Sequence, residues 1–449
     1  MNKVYELVKD NRLGEAIFYI LDSKADQISK SLPIFDGLRQ ADSETNPGAA
    51  AYYLTAALLL LNDLDCACFV YNKFVDKSQS RIIQAIRIVP DLLQCKGVQQ
   101  VIPIKNSVYS LEPLGGYESI PESIKSFANN VNPFLAKIDN GSVLGISFLP
   151  VSPNFETSLD QLVHNPLNPN KILNGEDIGT MPIIVPGAVL SRFDAEDHYD
   201  EGVLIGNHEN FGHWLYNHLA RLALVTPLSD LRNVPLIVGE DLTARQFECL
   251  QRFGFKESNV IRLKRGRLAK FKTLWVPAML FYARGGYIRW APRIVDYLRE
   301  GLKVPDFTGK GTRRIFISRA NTRWRRLLNE DAIIKSIRPL GFEIIDPASL
   351  SILEQIEIAS NAEVIIGTFG AGMNLLLFAP RNAAIIELTY PNYGGMDISP
   401  KLCKQIGQKY MVVYGEPMSV VGDELNRDFL VSPDQVQKAV QIALGEFLV

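Results

Sequence analysis

Residues 341–380 read GFEIIDPASLSILEQIEIASNAEVIIGTFGAGMNLLLFAP, and the fold turns on this stretch. Two apolar runs, Phe342–Ile345 and Val364–Gly367, read as strands, and Ile352–Ala359 between them reads as a helix. The glycine-rich turn Gly367-Thr-Phe-Gly-Ala-Gly372 then leads into a second helix, Gly372–Phe378. Working outward, Arg314–Ser318 (RIFIS) is a strand and Glu330–Ile337 a helix. Downstream, Ala384–Leu388 and Tyr410–Tyr414 add strands and Pro433–Phe447 a closing helix. Strands alternating with helices predict a parallel sheet with right-handed crossovers. The strands are continuous apolar runs, as a sheet covered on both faces requires.

The segment Lys303 to Gly311 (KVPDFTGKG) reads as a linker in front of this unit. Before it the pattern is again mixed. Val143–Val151, Ile183–Val185, Ala188–Phe193 and Gly202–Ile205 read as strands, as do Val234–Val238, Val260–Leu263 and Thr273–Val276. Phe211–Val225, Thr243–Phe253 and Ala291–Leu302 read as helices. Pro103, Pro113, Gly115, Gly116, Pro121 and Pro133 mark a linker or irregular domain start near 100–140. The first hundred residues read as helical. Lys3–Val8 and Leu13–Leu21 suggest one pair, and Ala49–Leu61 with Leu64–Val75 an antiparallel hairpin turning at Asn62-Asp63. A tetratricopeptide-like array fits such pairs, although its Trp, Gly and Pro markers are missing. The expected division is a helical domain over 1–110 and α/β domains over 111–302 and 303–449.

Composition narrows the classes. A chain of 449 residues with 47% hydrophobic residues builds a sizeable core without staples. A net charge of −2 argues against a general nucleic-acid binder, while leaving room for a local anion site. Five scattered cysteines with no C-x-x-C pair argue against a disulfide framework or a cysteine zinc site. The N-terminal stretch shows no signal-peptide h-region. The longest apolar run, Ala49 to Leu61, is 13 residues, short of the ~20 that cross a bilayer. The expectation is a cytoplasmic protein, with peripheral attachment at the inner membrane surface left open.

Four features carry chemistry. The turn Gly367–Gly372 sits where strand meets helix, at the edge where open parallel sheets bind ligands, and its glycines allow phosphate to approach backbone N–H groups. The stretch Lys310 to Arg326 holds seven basic residues and no acid. Arg319 follows a strand at the same sheet edge, and a guanidinium fork matches phosphate oxygens. The run Asn207 to His218 holds His208, His213 and His218. At 3.6 residues per turn, His213 and His218 would face roughly 140° apart. That spacing and the absence of H-E-x-x-H argue against a metal, and general-base work by one histidine is the better use. Glu387, near the end of a strand, is placed to accept hydroxyl hydrogen bonds, as from a ribose.

Taken together, NFGHWLYNHLARLALV (210–225), RRIFISRANTRWRRLLNE (313–330), residues 341–380 and AIIELTYP (384–391) resemble glycosyltransferase family 61 in composition and order. The resemblance covers about Ile205 to Tyr414. It implies a GT-B arrangement, two Rossmann-like domains facing across a cleft, preceded here by the helical segment. It also implies an inverting transferase that moves a sugar from a nucleotide sugar, UDP-linked as the commonest case, to a glycan or polysaccharide acceptor. By this analogy Arg319 and one of Arg325 or Arg326 bind the diphosphate. Gly370, Ala371, Gly372 and Asn374 surround the phosphates and nucleoside, Glu387 binds the ribose, and His213 faces the acceptor as base. No metal cofactor is implied, the arginines and helix N–H groups carrying the leaving charge. Closure across the 303–311 linker would assemble the site.

The chain also departs from the family. It has Thr368-Phe369 where Pro-His is common, so a phosphate contact from that histidine is lost. It has Asn217 where an Asp is common, which removes a carboxylate from beside His213. These departures keep a second expectation open: a catalytically inactive nucleotide-sugar fold whose helical scaffold binds a protein partner. A nucleotide-dependent oxidoreductase fits less well, because no G-x-G-x-x-G follows an early strand.

Overall fold

The computed structural model describes residues 3–24, 38–40, 43–60, 87–89, 98–103, 110–113, 133–145, 148–154, 156–158, 196–264, 268–284, 287–290, 293–306, 309, 311–322, 324–391, 398–418 and 427–445, with scattered single positions between 66 and 97. Among these residues the fold is mixed α/β and built on two main sheets. No helix among them is long and apolar enough to cross a membrane.

The C-terminal sheet has five strands in the order Phe342–Ile345, Arg313–Ile317, Ala362–Thr368, Ala384–Thr389 and Lys409–Tyr414. Every neighbouring pair is parallel. Three elements of this C-terminal unit have the bounds expected from sequence: the helices Glu330–Ile337 and Ile352–Ala359 and the strand Phe342–Ile345. Alternate side chains enter two cores, which explains the continuous apolar runs. Phe316, Val364, Ile366, Ile386 and Leu388 pack with Ile333, Ile337, Val436 and Val440 on one face. Ile315, Ile317, Ile365 and Ile385 pack on the other with Ile352, Ile356, Leu376 and Leu402.

That second cluster does not stop at the sheet. It continues into the middle of the chain through Leu298, Trp214, Leu219, Val203 and Ile237. The sheet there runs in the order Val260–Leu263, Leu236–Gly239, Glu196–Leu204, Leu268–Pro277, Phe134–Asp139 and Val98–Pro103. Its first four strands are parallel and the last two join antiparallel. The run Val143–Val151, read as one strand, is a hairpin of Ser142–Leu144 and Leu149–Val151. The strand Val98–Pro103 lies inside the stretch read as helical but completes this sheet.

At the N-terminus the helices Lys3–Lys9, Leu13–Ser23 and Pro47–Leu60 match the expected helical character. Of Leu64–Val75 only scattered helical positions are described, and Ile183–Val185 and Ala188–Phe193 lie outside the described residues. The described cysteines, Cys66, Cys95, Cys249 and Cys403, are buried free thiols.

Polar clamps hold the middle and C-terminal parts together. The buried Arg299 donates through Nη1 to the carbonyls of Leu377 (2.7 Å) and Ala379 (2.8 Å). Glu248 accepts from the backbone N–H groups of Ile352 (2.8 Å) and Leu353 (3.0 Å), at the start of a helix in the other part. These N–H groups have no partner inside their own helix, so the carboxylate caps them and also meets the positive end of the helix dipole.

Candidate functional site

Strand order places the site. The chain leaves Arg313–Ile317 for Phe342–Ile345 on one side, then returns to Ala362–Thr368 on the other. At such a switch point the crossovers diverge, and a crevice opens beyond the carboxyl ends of the two central strands. The residues just past those ends are Ser318, Arg319 and the turn Phe369 to Gly372.

Arg319 and the glycine turn are in direct contact. Gly370 has φ +148°, and a Cβ there would stand 2.4 Å from Arg319 Nη1 and 3.2 Å from Cζ. Only glycine tolerates both the backbone angle and the guanidinium lying on it. Arg319 is 9% exposed. Its Nη2 donates to the Trp324 carbonyl (2.9 Å), and its backbone N–H donates to Glu330 Oε2 (3.0 Å). The Ser318 hydroxyl donates to the same carboxylate. Glu330 thus pins the strand end that carries Arg319. Sequence reading missed that role, because an acid in the first turn of a helix is an ordinary feature.

The remaining basic candidates separate. Arg325, with φ +57°, holds its guanidinium 5.3 Å from the centroid of the Phe369 ring, a cation–π contact beside the turn. Arg326 instead pairs with Asp428 at 2.6 Å, and its backbone N–H donates to Asp428 Oδ1 at 2.8 Å. The guanidinium holds the Asp428 carboxyl below the usual carboxylate range. Of the two arginines named for the diphosphate, Arg325 stands at the glycine turn and Arg326 is committed to Asp428.

The other donor-side residues fall on the same edge. Residues Ala371–Leu377 form a 3₁₀ helix, one residue ahead of the helix expected over Gly372–Phe378. A Cβ on Gly372 would stand 3.0 Å from Ile317 Cγ2, so this turn lies tight against the central strand. Asn374 is 9% exposed, and its Nδ2, like the hydroxyl of Thr368, has no hydrogen-bond partner among the described residues. Glu387 is 5% exposed and pairs in register with Gly367 and Val412, two residues before its strand ends at Thr389. Burial, and after it the Glu387 carboxylate, push the Cys403 thiol up to about 12. At 5% exposure, Glu387 is more deeply set than a rim carboxylate.

The histidine run approaches this edge from the middle of the chain. Asn210 caps a short α-turn, Phe211–His213, its Oδ1 accepting from Gly212 N–H at 2.9 Å. The chain then widens into a π-helix, Trp214–His218, and tightens into a 3₁₀ helix, Leu219–Leu224, where one continuous helix was expected. The Leu219 N–H reaches back to the carbonyls of Trp214 and Leu215. The wider turn changes the directions in which side chains point. His213 and His218 both flank His208, with ring centroids at 4.7 and 6.3 Å, rather than facing apart.

His218 is buried, its Nδ1 2.8 Å from the Ile205 carbonyl. Burial, and then the charge of Arg221, hold it well below the ordinary histidine value. Burial also lowers His208. His213 is only partly buried, and its Nδ1 stands 3.2 Å from Asn217 Oδ1. Among the described residues no group of three or more His, Cys, Asp or Glu is arranged to hold a metal.

Near the glycine turn the two halves approach at Gly212 and Asn374. A Cβ on Gly212 would stand 3.0 Å from Asn374 Nδ2. Gly212 precedes His213, and Asn374 follows the Gly370–Gly372 turn. Arg319 lies against Gly370, Arg325 against Phe369, and Gly212, next to His213, against Asn374, so these residues are linked by neighbouring contacts. Glu387 lies deeper and Arg326 to one side.

The Glycosyltransferase 61 family profile matches residues 211–386. The match starts beside His213 and stops one residue before Glu387, so it spans both sides of the crevice. Over 83 residues the chain is 35% identical to the EGF domain-specific O-linked N-acetylglucosamine transferases of Canis lupus familiaris and Mus musculus. It is 34% identical to the transferase of the same name from Rattus norvegicus. Each alignment covers 17% of this chain and 16% of the relative, so the chain matches about a sixth of those proteins' length. The family similarity is thus confined to residues 211–386, less than half of the chain.

Proposed function

We propose that the protein is an inverting glycosyltransferase with a GT-B type cleft. It takes a sugar from a nucleotide sugar, UDP-linked, and passes it to a hydroxyl of a glycan, polysaccharide or glycoprotein acceptor. The observation that carries this reading is the contact of Arg319 with Gly370, together with the approach of Gly212 to Asn374. One contact builds an anion-binding rim, and the other brings a histidine to it.

In the proposed step the acceptor oxygen forms a bond to the anomeric carbon as the bond from that carbon to the diphosphate oxygen breaks. The acceptor proton passes to His213, and the electron pair of the broken bond leaves with the nucleoside diphosphate. Arg319 and Arg325 face the charge that grows on the leaving group, so they bind the transition state more tightly than the ground state. Arg319 is buried, which lowers the local dielectric and strengthens that effect. The halves already touch through Arg299, Glu248 and Asn374, so the reading needs no large closure across the 303–311 linker.

A catalytically silent nucleotide-sugar-binding fold is the second reading. Asn217 favours it, because an amide beside His213 adds no charge to stabilise an imidazolium. The two readings part on one assay. Nucleotide sugars are screened for thermal stabilisation, and the stabilising ones are then followed for release of nucleoside diphosphate. Turnover that falls by roughly 10²–10⁴-fold in His213→Gln supports the transferase with His213 as base. Stabilisation without turnover supports the silent fold, and full activity in His213→Gln removes His213 from the chemistry.

A further inference from the structure

Asn217 is wholly buried in the π-helical turn behind His213. The two ends of its amide have different needs. Nδ2 lies 2.7 Å from the carbonyl oxygen of Phe281, a group that only accepts hydrogen bonds. That carbonyl fixes the amide's orientation, with the NH2 group towards Phe281 and the oxygen towards His213. Oδ1 then stands 3.2 Å from His213 Nδ1 as an acceptor, so that ring nitrogen carries the hydrogen. A neutral imidazole has one N–H, and its lone pair is left on Nε2.

The two neighbouring rings are set by backbone groups. The backbone N–H of Asn210 donates to His208 Nδ1 at 2.9 Å, which leaves the His208 hydrogen on Nε2. His218 Nδ1 faces the Ile205 carbonyl, so its hydrogen is on Nδ1. Among the three, His213 alone takes its tautomer from a side chain. An ionised Asp at 217 would set two acceptors against each other at the Phe281 carbonyl. A Leu would supply neither the donor towards Phe281 nor the acceptor towards His213.

We infer that Asn217 is a positioning residue that selects the Nδ1–H tautomer of His213 and so presents the Nε2 lone pair as the proton acceptor. The Phe281 carbonyl, 64 residues away in sequence, sets this choice through the Asn217 amide. The inference rests on the transferase reading for its use, but the tautomer itself is a property of the resting protein.

The test uses the full chain with 15N-labelled histidine. Five histidine signals are recorded above the pH of imidazole titration, and His213 is assigned by its loss in His213→Gln. The expected native pattern has the hydrogen on Nδ1 for His213 and His218 and on Nε2 for His208. In Asn217→Leu, His213 shifts towards the Nε2–H form that dominates in free histidine, while His208 and His218 keep their patterns. Transfer by this variant falls at least about tenfold in kcat, with the donor KM little changed. A native His213 with its hydrogen on Nε2, or a folded Asn217→Leu protein with an unchanged His213 signal, overturns the inference. If Asn217→Leu does not fold, the native spectrum decides alone. The expected spectrum without turnover of any nucleotide sugar would sink the transferase reading and uphold the tautomer assignment. Turnover with the opposite tautomer would do the reverse.

Discussion

Replacing Gly370 with alanine probes the contact on which the anion rim depends. Two costs arise. The backbone sits at φ +148°, where an L side chain is strained by roughly 1–3 kcal/mol. The new Cβ would also lie 2.4 Å from Arg319 Nη1. Arg319 is buried and tied to the Trp324 carbonyl, so it moves only by giving up that bond, a further cost of about 1.5–3 kcal/mol for a charged donor. Gly341→Ala is the matched control. Gly341 has φ +80°, and a Cβ there would meet nothing within 4 Å, which leaves backbone strain of roughly 1–2 kcal/mol alone. For a chain of 449 residues the scale is about 1 °C per kcal/mol, so Gly370→Ala should melt roughly 1.5–3 °C below the control. Titration calorimetry with UDP should show a second difference. A displaced guanidinium weakens binding by roughly 10- to 150-fold, whereas the control binds like the native protein. Equal melting temperatures and equal UDP affinities for the two variants would refute the reasoning.

Three further outcomes follow from the geometry. Arg299→Met removes a buried donor to the carbonyls of Leu377 and Ala379; Gln408 Nε2 still reaches Ala379 at 3.4 Å, so the cost should be about 1–3 kcal/mol for the Leu377 carbonyl, read as a lower urea midpoint. Glu248→Ala uncovers the amides of Ile352 and Leu353 and should cost about 0.5–2 kcal/mol by calorimetry. Stability should also fall on mild acidification. His208 and His218 are depressed below 6.5 in the folded chain, so the unfolded chain binds protons first as pH drops. Their contribution is complete above about pH 6.5, is lost as pH falls towards the folded values, and should flatten in His218→Gln, as measured by urea unfolding between pH 8 and pH 5.

The C-terminal sheet was legible because each strand is a closed apolar run between turn signals, and strands alternating with helices imply parallel pairing. The edge shared by Arg319 and Gly370 was legible for the same reason, since residues after parallel strands share a rim. Contacts made by distant parts of the chain were not. Arg325 and Arg326 look equivalent in sequence, and what separates them is Asp428, 102 residues on. Asn217 reads as the loss of a carboxylate, and only the Phe281 carbonyl explains why an amide belongs there. The histidine directions failed for a local reason. The expected divergence assumed 3.6 residues per turn, and the chain makes a π-turn between His213 and His218. Nothing in the apolar pattern of Phe211–Val225 marks that change, because the widened turn remains buried all round.

The most direct test of the proposed donor site is a crystal structure of the protein soaked with UDP. The diphosphate is expected past Ile317 and Thr368, within hydrogen-bond distance of the Arg319 guanidinium and of the backbone N–H groups that follow Gly370. A diphosphate bound elsewhere, with Arg319 still folded against Gly370 and out of its reach, would contradict that placement.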